Sequence, residues 1–255
     1  MRILLTNDDG IFAEGITSLA LALHAKGHEL FIGAPADNKS CVSHGLTLRD
    51  LIIVEKKTLP GLENVSAYAI GGTPADCVRI SVEKLSAAPD VIVSGINHAP
   101  NLGTDAVYSG TVAAAIEGLM IDLPSIAVSK DTFDATYMDE AAAWFADNLD
   151  ELCGFFKNGV SMLNVNLPST KRSEYRGVRC GRAALISYRM SYSEEIAGDG
   201  RIGYRVRSEK LMKEQDNDVD DYYLGKGYAV VTPFTYDMTD YTRFDEAKAA
   251  FERDY

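Results

Sequence analysis

Asp8 and Asp9 stand side by side in TNDDG (6–10), directly after the apolar run RILLT (2–6). Two adjacent carboxylates repel, and a divalent cation shared between them removes that penalty. Two structural readings compete with a metal site. Asp-Gly favours a hairpin turn, but the residues that follow have helical period and no partner strand comes next. Capping of the following helix explains one aspartate and leaves the other unexplained. The expectation is therefore a cation held at this junction.

Such an ion needs more oxygen ligands, and two further loops offer them. APADNKSCVSHG (34–45) supplies Asp37, Asn38, Ser40 and Ser43. GINHAPNLGTDAVYSGT (95–111) supplies Asn97, Asn101 and Asp105. Carboxylate, amide and hydroxyl oxygens suit Mg²⁺ or Mn²⁺ better than zinc. His44 and His98 lie in the same loops as candidate ligands or general acids, although lone loop histidines are more often surface residues. Ser109, Gly110 and Thr111 open a helical stretch, YSGTVAAAIEG (108–118). The amides of a helix N-terminus suit phosphate; ordinary capping by Ser or Thr is the plainer alternative. GGTPADC (71–77) has neither the P-loop nor the dinucleotide spacing. It reads as a tight turn with Pro74 opening a helix, and Asp76 as a cap or an orienter of neighbouring loops. An anion pocket beside a divalent ion is what hydrolysis of a phosphate ester requires.

These residues must be carried by regular elements. Residues 2–6 read as a buried strand, 13–27 as a helix closed by Gly27, and 28–35 as a second strand. That β-α-β opening implies parallel strands. The alternation continues with a helix over 74–85, a strand over 89–95, a helix over 111–120 and a strand over 124–130. Met138, Ala142, Phe145, Leu149, Leu152 and Phe156 mark one face of a long helix, and 160–168 is another strand. The prediction is a single α/β domain over 1–255. Its core is a doubly wound, mostly parallel sheet over 1–170, with a C-terminal extension over 171–255. The extension is polar and rich in tyrosine: Tyr188, Tyr192, Tyr204, Tyr222 and Tyr223. RIGYRVRS (201–208) alternates like an exposed strand, LMKEQDNDVDDYY (211–223) is acidic, and YAVVTPF (228–234) returns to a buried-strand pattern. This region reads as a protruding arm, a subunit contact or a solvated lid.

Of 255 residues, 46% are hydrophobic and 24% charged, which suits an ordinary globular protein. Asp and Glu total 37 against 25 Lys and Arg, a net charge of −12, which argues against nucleic acid and anionic membranes as partners. Cys41, Cys77, Cys153 and Cys180 form no CxxC pair, so neither a zinc cage nor a redox dithiol is expected. The opening MRILLTNDDG is too charged for a signal peptide, and no apolar run is long enough to span a membrane. A cytoplasmic protein is expected.

Taken together and in this order, TNDDG, AP followed by Ser40, GGTPADC, VSGIN, NLGTD and YSGTVAAAIEG resemble the SurE family of metal-dependent nucleotidases, the stationary-phase survival proteins. The likeness is close from residue 1 to about 130 and returns in GYAVVTPFTYDMT (227–239). It implies a Rossmann-like core and hydrolysis of nucleoside 5′- and 3′-monophosphates, with short polyphosphate as a further substrate of some members. It implies one divalent ion, Mg²⁺ or Mn²⁺, held by Asp8, Asp9, Ser40 and Asn97, with Asp8 or Asp9 as base. Asn7, Ser109, Gly110 and Thr111 would then hold the phosphoryl oxygens, with Asn101, Asp105 and Asp76 supporting them from behind. It also implies a homodimer or homotetramer in which the β-rich C-terminal arm makes the contacts. Two positions depart from the family: Glu14 stands where Pro is common, and Ala99 where Gly is common. If position 99 needs φ > 0, Ala99 strains its loop. Three rivals remain. A metal-dependent nucleotide-binding module without catalysis would keep the same residues. An aspartate-nucleophile phosphatase would carry DxD rather than DD. A dinucleotide-dependent oxidoreductase would need a glycine fingerprint that TNDDGIFAEG lacks.

Overall fold

The computed structural model describes residues 1–85, 89–132, 136–211 and 217–253. In chain order the strands are β1 (Arg2–Thr6), β2 (Glu29–Pro35), β3 (Val54–Lys57), β4 (Ser66–Ile70), β5 (Val91–His98) and β6 (Ser125–Lys130). They continue with β7 (Met162–Leu167), β8 (Val178–Cys180), β9 (Ser187–Ile196), β10 (Ile202–Leu211) and β11 (Ala229–Phe234). The helices are α1 (Glu14–Ala25), α2 (Pro74–Ile80), α3 (Gly110–Met120), α4 (Met138–Gly154), α5 (Asp220–Gly225) and α6 (Phe244–Phe251).

Nine strands form one sheet in the order β3-β4-β2-β1-β5-β6-β7-β11-β8. From β4 through β7 every neighbouring pair is parallel, while β3 and β11 run antiparallel to β4 and β7. Both faces of this sheet are covered. Ile3 and Leu5 of β1, with Val91 and Val93 of β5, pack beside Ile16, Leu19 and Leu23 of α1 and Phe145 and Leu149 of α4. Leu4 and Ile92, one residue out of phase, meet Val78 of α2 and Ala114 of α3 on the other side. That period of two, with both phases apolar, is why these strands read as continuous hydrophobic runs.

The chain builds outward from β1 in two directions, through β2 and β4 on one side and through β5, β6 and β7 on the other. The direction reverses between β1 and β5, and such a switch point opens a crevice at the carboxyl ends of the two strands. TNDDG leaves β1 there. Asn97, expected in the loop after the third strand, lies within β5, which runs to His98 and pairs Asn97 with Ser129 and His98 with Lys130. The register slips by one residue between Ser94 and Asn97, at the cis Gly95–Ile96 peptide. Bulges of this kind redirect the side chains that follow them.

The helix expected over 74–85 ends as α2 at Ile80 and continues as one π-helical turn, Ser81–Leu85. In the C-terminal part, β8 and β11 join the main sheet. The ten-residue strands β9 and β10 instead pair only with each other. A second small core of Leu102, Ala184, Ile186, Val219, Leu224 and Val230 lies where this hairpin meets the loop after β5. Part of the acidic stretch, residues 212–216, lies outside the described residues. No helix among the described residues is long and apolar enough to cross a membrane.

Candidate active site

Asn7, Asp8, Asp9 and Gly10 form the turn between β1 and α1. Asn7 was expected to hold a phosphoryl oxygen. Instead it is buried and commits both ends of its side chain to Gly10: Nδ2 donates to the Gly10 carbonyl at 2.9 Å, and Oδ1 accepts the Gly10 N–H at 3.2 Å. Asn7 therefore shapes the turn that projects the two carboxylates.

Asp8 is buried, and its Oδ1 accepts the Thr111 hydroxyl at 2.5 Å. The Thr111 backbone N–H also reaches this carboxylate. Thr111 belongs to the first turn of α3, so the helix end expected to receive phosphate is already partly taken by Asp8. In this structure Thr111 holds Asp8. Gly110 backs the same carboxylate: a Cβ added there would lie 2.8 Å from the Asp8 Cβ. Ser109 caps α3, accepting the Val112 N–H at 3.1 Å, and borders the cleft.

Burial raises the Asp8 pKa to about 6, with the Asp9 charge adding to the rise and the Thr111 hydroxyl opposing it. Burial also raises Asp9, against the opposing pull of His98 and the Asn38 side chain. Asp9 Oδ1 accepts Asn38 Nδ2 at 3.2 Å, while its Oδ2 is buried with no hydrogen-bond partner. A buried carboxylate oxygen without a donor beside a second buried carboxylate is an arrangement that a cation completes.

The remaining expected ligands converge on the same place. Asp8, Ser40 and Asn97 line one cleft of about 470 Å³ with His98, Asn101, Asp105 and Ser109. Asn97 Nδ2 donates to the Ala99 carbonyl at 2.9 Å, which leaves the amide oxygen as the atom that could meet a cation. Among the described residues no three His, Cys, Asp or Glu side chains gather as a metal cluster. An ion here would rest on two carboxylates and neutral oxygens, a donor set for a hard cation. The residues present fit Mg²⁺ or Mn²⁺.

The other expected residues turn out to hold loops. Asp76 completes a capping box with Thr73 and accepts the Thr47 N–H, both at 3.1 Å or less. Asn101 donates to Ser129 Oγ at 2.8 Å, and its carbonyl accepts from Asn164 and Asn166 at 2.7 and 3.1 Å. Asp105 accepts the Tyr188 hydroxyl at 2.6 Å. His44 pairs with the buried Glu117, which Arg79 also contacts, and fastens the loop that carries Ser40. Burial pushes the Glu117 carboxyl up, but hydrogen bonds from His44 and Arg79 bring it below its usual range.

Residues 3–190 match the family described as Survival protein SurE. The chain belongs to the SurE family. It is 37% identical over 249 residues to the 5′-nucleotidase SurE of Desulfitobacterium hafniense (strain DSM 10664 / DCB-2), covering 97% of this chain and 96% of that one. It is 38% identical over 257 residues to the 5′-nucleotidase SurE of Syntrophomonas wolfei, covering 99% and 96%. The crystal structure of the SurE protein from Aquifex aeolicus superposes with a TM-score of 0.81 at 31% identity, over 99% of this chain and all of that one. In this SurE chain the cleft is lined by Tyr108, from the YSGT motif, and by three residues outside the motifs, Tyr188, Met190 and Ser208. The last three come from β9 and β10, far along the sequence, where only the abundance of tyrosine hinted at a role. Asp220, also unforeseen, is fully buried and accepts the Gly103 and Ala184 N–H groups at 2.7 and 2.9 Å.

Proposed function

We propose that this SurE protein is a metal-dependent phosphomonoesterase that hydrolyses nucleoside 5′-monophosphates, and also 3′-monophosphates, to nucleoside and phosphate. The observation that carries this reading is the pair at the switch point of buried Asp8 and half-buried Asp9, with the buried Asp9 Oδ2 lacking any donor. The names of the relatives support a nucleotidase. Asp8, Asp9, Ser40 and Asn97 would hold one Mg²⁺ or Mn²⁺. Such an ion neutralises charge on a phosphoryl oxygen and acidifies water. Thr111 keeps Asp8 oriented, and Asn38 does the same for Asp9. Water attacks phosphorus and passes a proton to the Asp8–Asp9 pair, the bond between phosphorus and the nucleoside oxygen breaks, and that oxygen takes up the proton and leaves as the hydroxyl. The Ser109 end of α3 faces the remaining phosphoryl oxygens with the positive end of its dipole. Short polyphosphate would reach the same centre by its terminal phosphate.

Release of inorganic phosphate from AMP, followed with Mn²⁺ and then with excess chelator, tests the reading. Turnover with the ion and none with the chelator is expected. Equal turnover in both would remove the metal from the scheme. Binding of AMP without turnover at any metal would favour a non-catalytic nucleotide-binding module.

A further inference from the structure

In an antiparallel pair, directly opposed residues share a face. Tyr188, Met190 and Tyr192 of β9 therefore lie with Lys210, Ser208 and Val206 of β10 on one face of the hairpin. Arg189 and Ser191, with Glu209 and Arg207, lie on the other. The first face reaches the cleft, where Tyr188, Met190 and Ser208 meet Tyr108. The hairpin is fastened there. Tyr188 donates to Asp105, the Thr104 hydroxyl donates to the Ile186 carbonyl at 2.5 Å, and Asp220 ties Gly103 to Ala184.

An ion and a phosphate account for the acidic and hydroxyl-bearing part of the cleft. They do not account for Met190 and Tyr108, which are 52% and 64% exposed at a charged pocket. A cleft of about 470 Å³ falls within the size range that encloses a whole small molecule. A thioether and a phenol ring offer flat, apolar contact to an aromatic ring.

We propose that Met190 and Tyr108 form the nucleobase subsite and that the hairpin sets the preference for nucleotides over small phosphate esters. This rests on the nucleotidase reading above. The contact is with a ring face, which every base has, so purines are favoured over pyrimidines by their larger area alone.

The test uses the full chain with Mn²⁺ and compares kcat/KM for AMP and for methyl phosphate, which has no ring. In Met190→Ala and in Tyr108→Ala the ratio of the two should fall about tenfold, through KM for AMP. Arg207→Ala, on the opposite face of the hairpin, should leave the ratio where it is. Adenosine binding to the chelator-treated protein, followed by calorimetry, should weaken in the first two variants as well. An unchanged ratio in both variants, an equal fall for both substrates, or no adenosine binding to the wild type would overturn the proposal. Failure of the wild type to hydrolyse either phosphate would strike the nucleotidase reading instead, and the adenosine arm would still decide the subsite.

Discussion

Asp8 sits in an environment that opposes its own charge. Its pKa, raised by burial from 3.8 to about 6, means that folding disfavours the carboxylate form. The sign follows from linkage: the folded state binds the proton more tightly than the unfolded chain, so stability falls as pH rises from about 4 through about 6. Two units correspond to roughly 3 kcal/mol at most. Asp8→Asn should thus stabilise the chelated protein at pH 7 by about 1–3 kcal/mol, flatten that pH dependence and abolish turnover. Urea unfolding at pH 4.5 and 7 checks the stability; no gain at pH 7 contradicts it. Ala99 has φ 113°, so the expected strain is present in the loop beside Asn97. Ala99→Gly should be neutral or stabilising, by up to about 1 kcal/mol in thermal unfolding, because released strain exceeds the added chain entropy. At this scale the gathering of Asp8, Ser40 and Asn97 at one cleft was legible because their types and order are unusual. The roles of Asn7 and Thr111 were not. A side chain that grips its own turn and one that faces a ligand look alike in a string of letters.

At the scale of elements, α1 meets the β5 bulge through Gly15. Replacing Gly by Ala within a helix ordinarily stabilises by about 1 kcal/mol. Here the added Cβ would lie 1.9 Å from the Ile96 carbonyl oxygen. Gly15→Ala should therefore destabilise, by about 2 kcal/mol or more, and lower activity by displacing Asn97. A stabilised variant in urea unfolding would contradict the packing of α1 on β5. β1, β2, β5, β6 and β7 were legible from their apolar runs, whereas the parallel strand β4, SAYAI, was not. β3 was not: VEKK is an edge strand, exposed and charged as edges tend to be. Nor was β8, whose three residues are all exposed. β9 was hidden because most of its residues are exposed, so SYRMSYSEEI carries no buried-strand pattern.

For the whole molecule, the net charge of −12 surrounds the proposed cation site with a field that attracts divalent ions. Salt screens that field, with a Debye length of about 10 Å at 0.1 M. The apparent Kd for Mn²⁺ should rise several-fold between about 20 and 200 mM NaCl, as read by calorimetry. An unchanged Kd would mean that local ligands alone set the affinity. The switch point was legible once β-α-β was recognised, since a doubly wound sheet has its crevice there. The hairpin wall was not, because residues 188–208 reach the site only through tertiary packing by Asp220 and the small core beneath it.

The most direct measurement is anomalous scattering from a crystal soaked in Mn²⁺. A single peak within bonding distance of both Asp8 and Asp9 carboxylates, with Ser40 and Asn97 oxygens turned toward it, is the predicted result. A soaked crystal that diffracts well, shows no peak there, and keeps the two carboxylates hydrogen-bonded only to protein and water would contradict the account.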